Sequence, residues 1–225
     1  VWTQFVFQDT NRGLSLDGLR NSHPIEAKVE NPAEIRELFD AISYSKGGAT
    51  LRMLEDFLGP DIFQDGLHNY LTKHQYGNAR TEDLWNALEK SSGKPVTEIM
   101  NTWVKQVGYP YIQAESSTNG DILEIKLSQS RFLYDNLLDP GNIDQSLWQG
   151  PVKMITSEQN TYDASLLMKT KVQNVSTKIT SAVPSWFKIN AGQTGFYRVN
   201  YTEEGWSNVK KAIQEGHLSA VDRLG

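Results

Sequence analysis

Histidine is the residue type that most often ligates metals and that exchanges protons near neutral pH. The chain contains four histidines: His23, His68, His74 and His217. No two of them have the i, i+4 spacing that places two imidazoles on one face of a helix as zinc ligands. His68 and His74 are six residues apart and therefore face different sides of a helix. We expect them to be surface residues of an amphipathic helix, and we expect no metal site within this chain.

Other generic catalytic groups are missing or incomplete. The chain has no cysteine, which excludes disulfides, thiolate zinc sites and a cysteine nucleophile. It has neither a glycine-rich phosphate loop nor a nucleophile elbow. Five aspartates fit helix caps and solvated faces better than a catalytic pair: Asp40, Asp56, Asp61, Asp65 and Asp83. Generic motifs therefore give no complete active site and no cofactor-binding residue.

Tyr44 lies in an unusual stretch of sequence. Residues 39–49 (FDAISYSKGGA) surround Tyr44 and Lys46 with small residues, ahead of a strong helical pattern. A phenol at such a position could donate its proton to a developing oxyanion. Alternatively, Tyr44 packs against the start of the helix with its hydroxyl in solvent, which is a common structural role of tyrosine. The residues alone favour this second, structural interpretation.

The composition narrows the class of protein. The chain has 225 residues, of which 22% are charged and 10% aromatic, which is typical of a globular protein with one large or two small domains. A net charge of −5 without a basic tract argues against a nucleic-acid binder. No apolar run approaches the ~18 residues of a membrane span, and the first residues do not resemble a signal peptide. The absence of cysteine agrees with a cytoplasmic location.

Residues 1–108 follow a helical pattern of apolar spacing. Helices are predicted to begin near Pro32, Ala49, Asp61, Thr81 and Val96. Asp61 and Thr81 are the predicted N-caps of the third and fourth helices. Gly108 is predicted to end the last helix, and Pro110 prevents it from resuming.

The pattern changes to period two after Gly108. Leu123, Ile125 and Leu127 alternate with polar residues, and five later segments behave alike: 152–156, 164–169, 175–179, 186–190 and 196–201. Turns are predicted at Asn119-Gly120 and at Asp139-Pro140-Gly141. Many short strands without intervening helices predict an antiparallel β-sandwich.

The last part of the chain returns to a helical pattern. Thr202 is its predicted N-cap, and two glutamates follow in the first turn. Trp206, Val209 and Ile213 are predicted to face inward.

Several motifs in this order resemble one enzyme family. Residues 42–54 (ISYSKGGATLRML) form the most specific motif. The others are 16–25 (LDGLRNSHPI), 76–79 (YGNA), 83–85 (DLW), 100–103 (MNTW), 108–110 (GYP), 195–201 (GFYRVNY) and 221–225 (VDRLG). Together they resemble the gluzincin zinc aminopeptidases of the aminopeptidase N and puromycin-sensitive type, over nearly the whole chain.

The resemblance implies a multi-domain α + β fold. Residues 1–108 would be the helical C-terminal part of a thermolysin-like catalytic domain. Residues 109–201 would be an all-β antiparallel sandwich, and residues 202–225 the start of a helical C-terminal domain. The full-length enzyme would hydrolyse N-terminal residues from peptides, with peptides as its substrates and neither nucleic acid nor membrane as a partner.

The resemblance also implies which site residues are present. The family binds one zinc through an HExxH motif and a downstream glutamate, and it holds the substrate amino group with a GxMEN loop. Neither motif occurs in this sequence, so both would precede Val1, and the chain would pack against that missing zinc-binding part. Only the catalytic tyrosine carries over, onto Tyr44, which would donate a hydrogen bond to the oxyanion. Gly48 is often alanine or serine in the family.

Two functions follow from the sequence. The first is that the chain is a fragment of a zinc aminopeptidase, with zinc in the full-length enzyme and none in this fragment, which alone would be inactive. The second is that it is a non-catalytic module that binds a peptide or a protein. The catalytic motif around Tyr44 favours the first, because a binding module would have no need of it.

Overall fold

The computed structural model describes residues 1–29, 31, 36, 39–137, 144–158, 161–162, 166–179 and 183–225. The helix predicted from Pro32 and the turn predicted at Asp139-Pro140-Gly141 lie outside these residues. Helices occupy most of the described chain up to Val104, and strands follow from Pro110. The change from helical to extended structure therefore occurs where the sequence period changes.

The chain begins with one continuous helical run. Helix α1 (Trp2–Phe5) passes through a π-helical turn (Val6–Thr10) into helix α2 (Asn11–Asp17). Val6 and Leu14 are buried on the inner side of this run. This run packs against the next helical run, which contains Gly48. A Cβ added at Gly48 would lie 3.6 Å from the ring of Phe5.

The second helical run begins earlier than the sequence predicts. A π-helical turn (Ile42–Lys46) leads directly into helix α3 (Gly47–Leu58), so Gly47 and Gly48 lie within the run instead of preceding it. Oδ1 of Asp40 accepts hydrogen bonds from the backbone N–H of Ile42 (2.9 Å) and of Ser43 (3.0 Å). Asp40 therefore caps the turn and allows the helix to start there.

Three further helices complete the helical part: α4 (Pro60–His74), α5 (Thr81–Ser92) and α6 (Val96–Val104). Two predicted N-caps were misplaced by one or two residues. Gly59 precedes α4, so Asp61 lies within its first turn. Arg80 precedes α5, and its backbone N–H donates to Asp83 Oδ2 at 2.9 Å.

Helices α3, α5 and α6 each bury apolar residues, whereas the only buried residue of α4 is Gly66. Trp85 and Leu88 of α5 are buried, as are Ile99 and Trp103 of α6. The helical spacing also predicts that Leu71 of α4 faces inward, but Leu71 is 62% exposed. The sequence pattern of α4 therefore overstates its burial.

Gly108 does not end helix α6, contrary to the prediction. The helix ends at Val104 with Lys105 as its C-cap. Gly108 lies in the linker to the first strand with a left-handed φ of 87°. The positive φ that favours glycine at position 108 therefore occurs in the linker and not at the end of a helix.

Nine strands form within the described residues: β1 (Pro110–Asn119), β2 (Ile122–Arg131), β3 (Gly150–Pro151), β4 (Met154–Thr156), β5 (Thr161–Tyr162), β6 (Leu167–Met168), β7 (Val172–Lys178), β8 (Phe187–Ile189) and β9 (Arg198–Tyr201). The main sheet has the order β7-β2-β1-β9. Strands β1 and β2 form a hairpin with Asn119 opposite Ile122, as the predicted Asn119-Gly120 turn requires. Gly120 has the φ of 61° that such tight hairpin turns demand.

One strand pair departs from the predicted antiparallel arrangement. Strand β9 pairs with β1 in parallel, with Tyr111 opposite Arg198 and Ala114 opposite Tyr201. Parallel neighbours need a long connection, and here all the other strands intervene between β1 and β9 in the sequence. The other pairs in the described residues are antiparallel, including those of the two small sheets β3-β6 and β5-β4-β8.

The last helix, α7 (Glu203–Gln214), is capped as predicted. Thr202 Oγ1 accepts a hydrogen bond from the N–H of Gly205 at 3.1 Å. Val209 is buried, but Trp206 (46% exposed) and Ile213 (37% exposed) are not, so only one of the three predicted inward residues is correct. Nε1 of Trp206 instead donates to Oδ1 of Asn200 at 2.7 Å, which holds the indole at the surface.

The helices up to Val104 and the sheets share the main hydrophobic core, whereas α7 packs in a second, smaller cluster with Trp186 and Leu218. The buried members of the main core come from both parts of the chain and include Leu14, Met53, Trp103, Tyr109, Ile125, Trp148 and Phe196. Arg52 of α3 adds a polar link, because its guanidinium donates to the backbone oxygens of Gln193 (2.7 Å) and Gly192 (3.0 Å). The same guanidinium lies 4.5 Å above the ring of Trp2.

Candidate active site

Tyr44 projects into an open cleft on the helical part. It lies in the π-helical turn Ile42–Lys46 and is 65% exposed, with its ring 6.2 Å from that of Phe39. The cleft has a volume of about 760 Å³. Tyr44 therefore has access to solvent and to a ligand, while the turn beneath it is buried at Ile42, Ser45 and Lys46.

The cleft has walls of different character. Ser43 and the two glycines at 47 and 48 line it beside Tyr44, and Leu51 extends that wall along α3. Tyr70 and Trp85 belong to its lining on α4 and α5. The glycines leave room next to the phenol, since nothing lies within 4 Å of a Cβ added at Gly47. A ligand with small and apolar side chains could approach the Tyr44 hydroxyl here.

An ion pair holds the start of the Tyr44 turn. Nε2 of His23 lies 2.9 Å from Oδ2 of Asp40, and Nδ1 of His23 lies 2.8 Å from the carbonyl oxygen of Pro24. Both ring nitrogens thus face acceptors, which favours the doubly protonated imidazolium. Partial burial opposes this charge, but the acceptors of Pro24 and Asp40 outweigh it and raise the pKa of His23. Burial likewise opposes the charge of Asp40, but N–H donors and His23 outweigh it and lower its pKa.

A second ion pair holds the end of the turn, and it is fully buried. Nζ of Lys46 lies 2.8 Å from Oδ2 of Asp17, and neither side chain has any exposed surface. Nζ also donates to the backbone oxygens of Gly108 (3.0 Å) and Gln106 (3.2 Å), which accounts for its three hydrogens. Burial lowers the pKa of Lys46, and the charge of Asp17 offsets this only in part.

Asp17 completes this cluster through its second oxygen. Oδ1 accepts hydrogen bonds from the backbone N–H of Gly108 (3.0 Å) and from Oγ of Ser22 (2.6 Å). Asp17 ends helix α2, Lys46 ends the π-helical turn and Gly108 precedes β1. The cluster therefore joins three segments that are distant in the sequence at a point two residues from Tyr44.

The remaining candidate residues lie apart from the cleft or have structural roles. His68 is exposed on α4, as expected. His74 lies 3.8 Å from Asp83, and His217 lies 3.2 Å from Glu215. Asp56 is not on a solvated face, because it binds Lys153 Nζ at 2.8 Å. Across the part of the chain that the structure describes, no three histidine, cysteine or acidic side chains come together in a group that could hold a metal ion.

Sequence reasoning assigned no role to Asp17, His23 or Lys46, although each supports the Tyr44 turn. The available signal was their presence in the two longest motifs, residues 16–25 and 42–54. Periodicity could not identify them, because the contacts that join distant segments, from His23 to Asp40 and from Gly108 to Asp17, span 17 and 91 residues.

Comparisons with known proteins show what the chain is similar to. Residues 1–103 match the family model described as the peptidase family M1 domain. The whole chain is 40% identical to Aminopeptidase M1 of Arabidopsis thaliana and 42% identical to Aminopeptidase M1-B of Oryza sativa subsp. japonica, of which it covers 26% and 25%. It is 38% identical to a puromycin-sensitive aminopeptidase of Caenorhabditis elegans, of which it covers 23%.

The resemblance to the gluzincin aminopeptidases that the motifs predict is confirmed, since the M1 family model matches residues 1–103 and the relatives are aminopeptidases. The chain spans about a quarter of the length of these curated relatives. None of the helices in its described part is long and apolar enough to cross a membrane.

Proposed function

We propose that the chain is part of a zinc aminopeptidase that removes N-terminal residues from peptides in the cytoplasm, and that Tyr44 is one of its catalytic residues. The observation that carries this proposal is the placement of Tyr44. Its phenol is exposed in a cleft, while ion pairs fix both ends of the turn that bears it. A tyrosine with only a packing role would need neither an exposed hydroxyl nor two ion pairs that fix the turn.

The chemical role of Tyr44 follows from the charge that peptide hydrolysis creates. Attack on a peptide carbonyl places negative charge on its oxygen. A donor fixed toward that oxygen lowers the energy of the transition state, because it needs no reorganisation during the reaction. A phenolic O–H group is a hydrogen-bond donor. Tyr44 would bind the oxyanion in this way.

The zinc of the proposed enzyme would be held by other parts of a longer protein. The described residues do not fit a zinc site, since no suitable group of three ligands comes together among them. His23, which forms the ion pair at the start of the Tyr44 turn, already has both ring nitrogens in contact with acceptors, the oxygens of Pro24 and Asp40. We therefore assign no metal ligand to this chain, and the chain alone would be inactive.

The domain assignment forms part of the same proposal. Residues 1–108 would complete a thermolysin-like catalytic domain, residues 109–201 would form the β-sandwich domain, and residues 202–225 would begin a helical domain. Exposed aromatic side chains on the helical part support an interface with the zinc-binding part. Phe7 is 64% exposed and Phe39 is 67% exposed, although such side chains are usually covered.

The test is Tyr44→Phe in the full-length enzyme, with hydrolysis of an aminoacyl arylamide followed at steady state. Loss of an oxyanion donor typically lowers kcat by about 10²–10³-fold. Because the donor acts mainly in the transition state, KM should change little. Zinc content is measured in both proteins to exclude loss of the metal.

Tyr76→Phe is the matched control. Tyr76 is fully exposed and does not line the cleft. The variant Tyr76→Phe therefore removes the same hydroxyl group without affecting the reaction. A Tyr44→Phe enzyme with full zinc and a kcat within about threefold of the wild type, far short of the loss expected for an oxyanion donor, would overturn the catalytic assignment.

A further inference from the structure

The buried pair of Lys46 and Asp17 has no evident value for stability alone. Removing two opposite charges from water costs several kcal/mol per ion, and replacement of such pairs by apolar residues is often neutral or stabilising. Neither side chain touches the cleft, since both are fully buried. The pair must therefore be explained by what it holds in place.

The pair fixes the backbone immediately after Tyr44. Lys46 is the last residue of the π-helical turn and is anchored by one carboxylate and two carbonyls. Such π-helical turns occur often at functional sites, and they need support because their hydrogen bonding is less regular than that of an α-helix. With Nζ held by three acceptors, the turn cannot rotate about its axis without breaking the cluster.

A second contact restrains the same turn independently. A Cβ added at Gly13 of α2 would lie 3.2 Å from the backbone nitrogen of Lys46. Helix α2 therefore lies directly against the backbone of the turn, and Asp17 follows Gly13 by one helical turn on the same helix. The ion pair with Asp17 and the close packing at Gly13 both fix the position of the turn relative to α2.

We propose that Lys46 and Asp17 are positioning residues that set the direction of the Tyr44 hydroxyl, an inference that rests on the proposed function of Tyr44. The pair acts through the π-helical turn and does not touch the substrate. Its hydrogen bonds to Gly108 also tie the turn to the linker before β1. The direction of the phenol thus depends on how the helical part joins the sheet.

The experiment is a double-mutant cycle in the full-length enzyme. Lys46→Met keeps most of the length of the side chain and removes its charge. In the enzyme with Tyr44, misplacement of the hydroxyl should lower kcat by about tenfold or more, since errors near 1 Å can cost about 10²-fold. In the Tyr44→Phe enzyme there is no hydroxyl to misplace, so Lys46→Met should change kcat less than about twofold by the same reasoning.

The double variant Lys46→Met/Asp17→Asn protects the test against misfolding, and Asp17→Asn tests the other partner of the pair. Asp17→Asn retains an acceptor for the N–H of Gly108, and the double variant leaves no buried charge uncompensated. Both should also lose kcat in a way that depends on Tyr44, with little change in KM.

The pair of Lys188 and Asp222 provides a matched control. Its Nζ and Oδ1 atoms are 3.3 Å apart, and its side chains are 6% and 8% exposed, but it links β8 to the C-terminal segment. Lys188→Met also leaves a buried aspartate without its positively charged partner, so this variant measures the effect of destabilisation alone. Its effect on kcat should be equal in the enzyme with Tyr44 and in the Tyr44→Phe enzyme.

The outcomes separate the two proposals. If Tyr44→Phe leaves kcat unchanged, the proposed function fails. If Tyr44→Phe lowers kcat but the Lys46 and Asp17 variants lower it equally in both backgrounds, or not at all, the positioning role is overturned while the proposed function stands.

Discussion

Gly108 joins the helical part to strand β1 in a conformation that few other residues adopt. Its φ is 87°, and an added Cβ would lie 2.6 Å from Nε of Arg131. We expect Gly108→Ala to lower the free energy of unfolding by about 1–3 kcal/mol, from backbone strain and displacement of Arg131. Urea unfolding of the isolated chain measures this.

Gly93→Ala separates the two causes. Gly93 has a φ of 66°, but nothing lies within 4 Å of its added Cβ. Gly93→Ala should therefore cost only the backbone strain of about 1–2 kcal/mol. Equal losses in the two variants would show that the contact with Arg131 contributes nothing.

His23 and Asp40 give the Tyr44 turn a dependence on pH. The pKa of His23 is raised above 6.5, so its contribution to stability is fully present below that pH and is lost as the pH rises through the raised pKa. The pKa of Asp40 is lowered below 3.8, so its contribution is present above that pH and is lost as the pH falls through the lowered value. The pair therefore stabilises the fold most between these limits.

We accordingly expect His23→Gln to reduce the urea midpoint more at about pH 5.5 than at about pH 8.5, because the pair exists only while His23 is protonated. Asp40 and Asp17 are the charged groups that act on His23. His68→Gln, on the exposed face of α4, is the control. If His23→Gln costs the same stability at both pH values, the ion pair does not contribute.

Helix boundaries show where element prediction from sequence succeeds. Thr202 was predicted to cap α7 and does so, because the backbone before α7 is extended and its hydroxyl reaches the N–H of Gly205. Thr81 was also predicted as a cap, but the residue before it takes that place and Asp83 reaches back to the N–H of Arg80. Threonine followed by acidic residues fits both arrangements, so composition could not distinguish them.

This difference predicts unequal effects of the same substitution. Thr202→Ala should lower the free energy of unfolding by about 1 kcal/mol, since it removes a partner of a helix N-terminus. Thr81→Ala should change it by less than about 0.5 kcal/mol, because Thr81 is an exposed first residue of α5 and not its cap. Thermal or urea unfolding of both variants provides the comparison. A larger loss for Thr81→Ala than for Thr202→Ala would contradict the cap assignments.

At the scale of the whole molecule, local pattern predicted the change from helices to strands but not the contacts between them. The parallel pairing of β9 with β1 depends on residues 87 positions apart, from Tyr111 to Arg198. The Tyr44 site has the same property, since Lys46 and Gly108 meet through the linker. Sequence motifs identified Tyr44 as the candidate, whereas its supporting residues required the folded chain.

The helical part leaves large aromatic side chains in solvent, which has a consequence for the isolated chain. Trp2 is 50% exposed, Phe7 64% and Phe39 67%. If these residues form the proposed interface with the rest of a longer protein, the isolated chain exposes it to other copies. We expect concentration-dependent association, because exposed apolar surface of this kind favours burial against a partner.

Sedimentation velocity over a wide range of concentrations measures this association. The variant Phe7→Ser/Phe39→Ser should shift the chain toward the monomer, since it removes two exposed aromatic rings without touching the buried core. Leu71→Ser is the control: Leu71 is 62% exposed but lies on α4, so its loss should leave association unchanged. A wild-type chain that stays monomeric at every concentration would contradict the proposed interface. An equal effect of Leu71→Ser would mean that association arises from general apolar exposure and not from the aromatic side chains at Phe7 and Phe39.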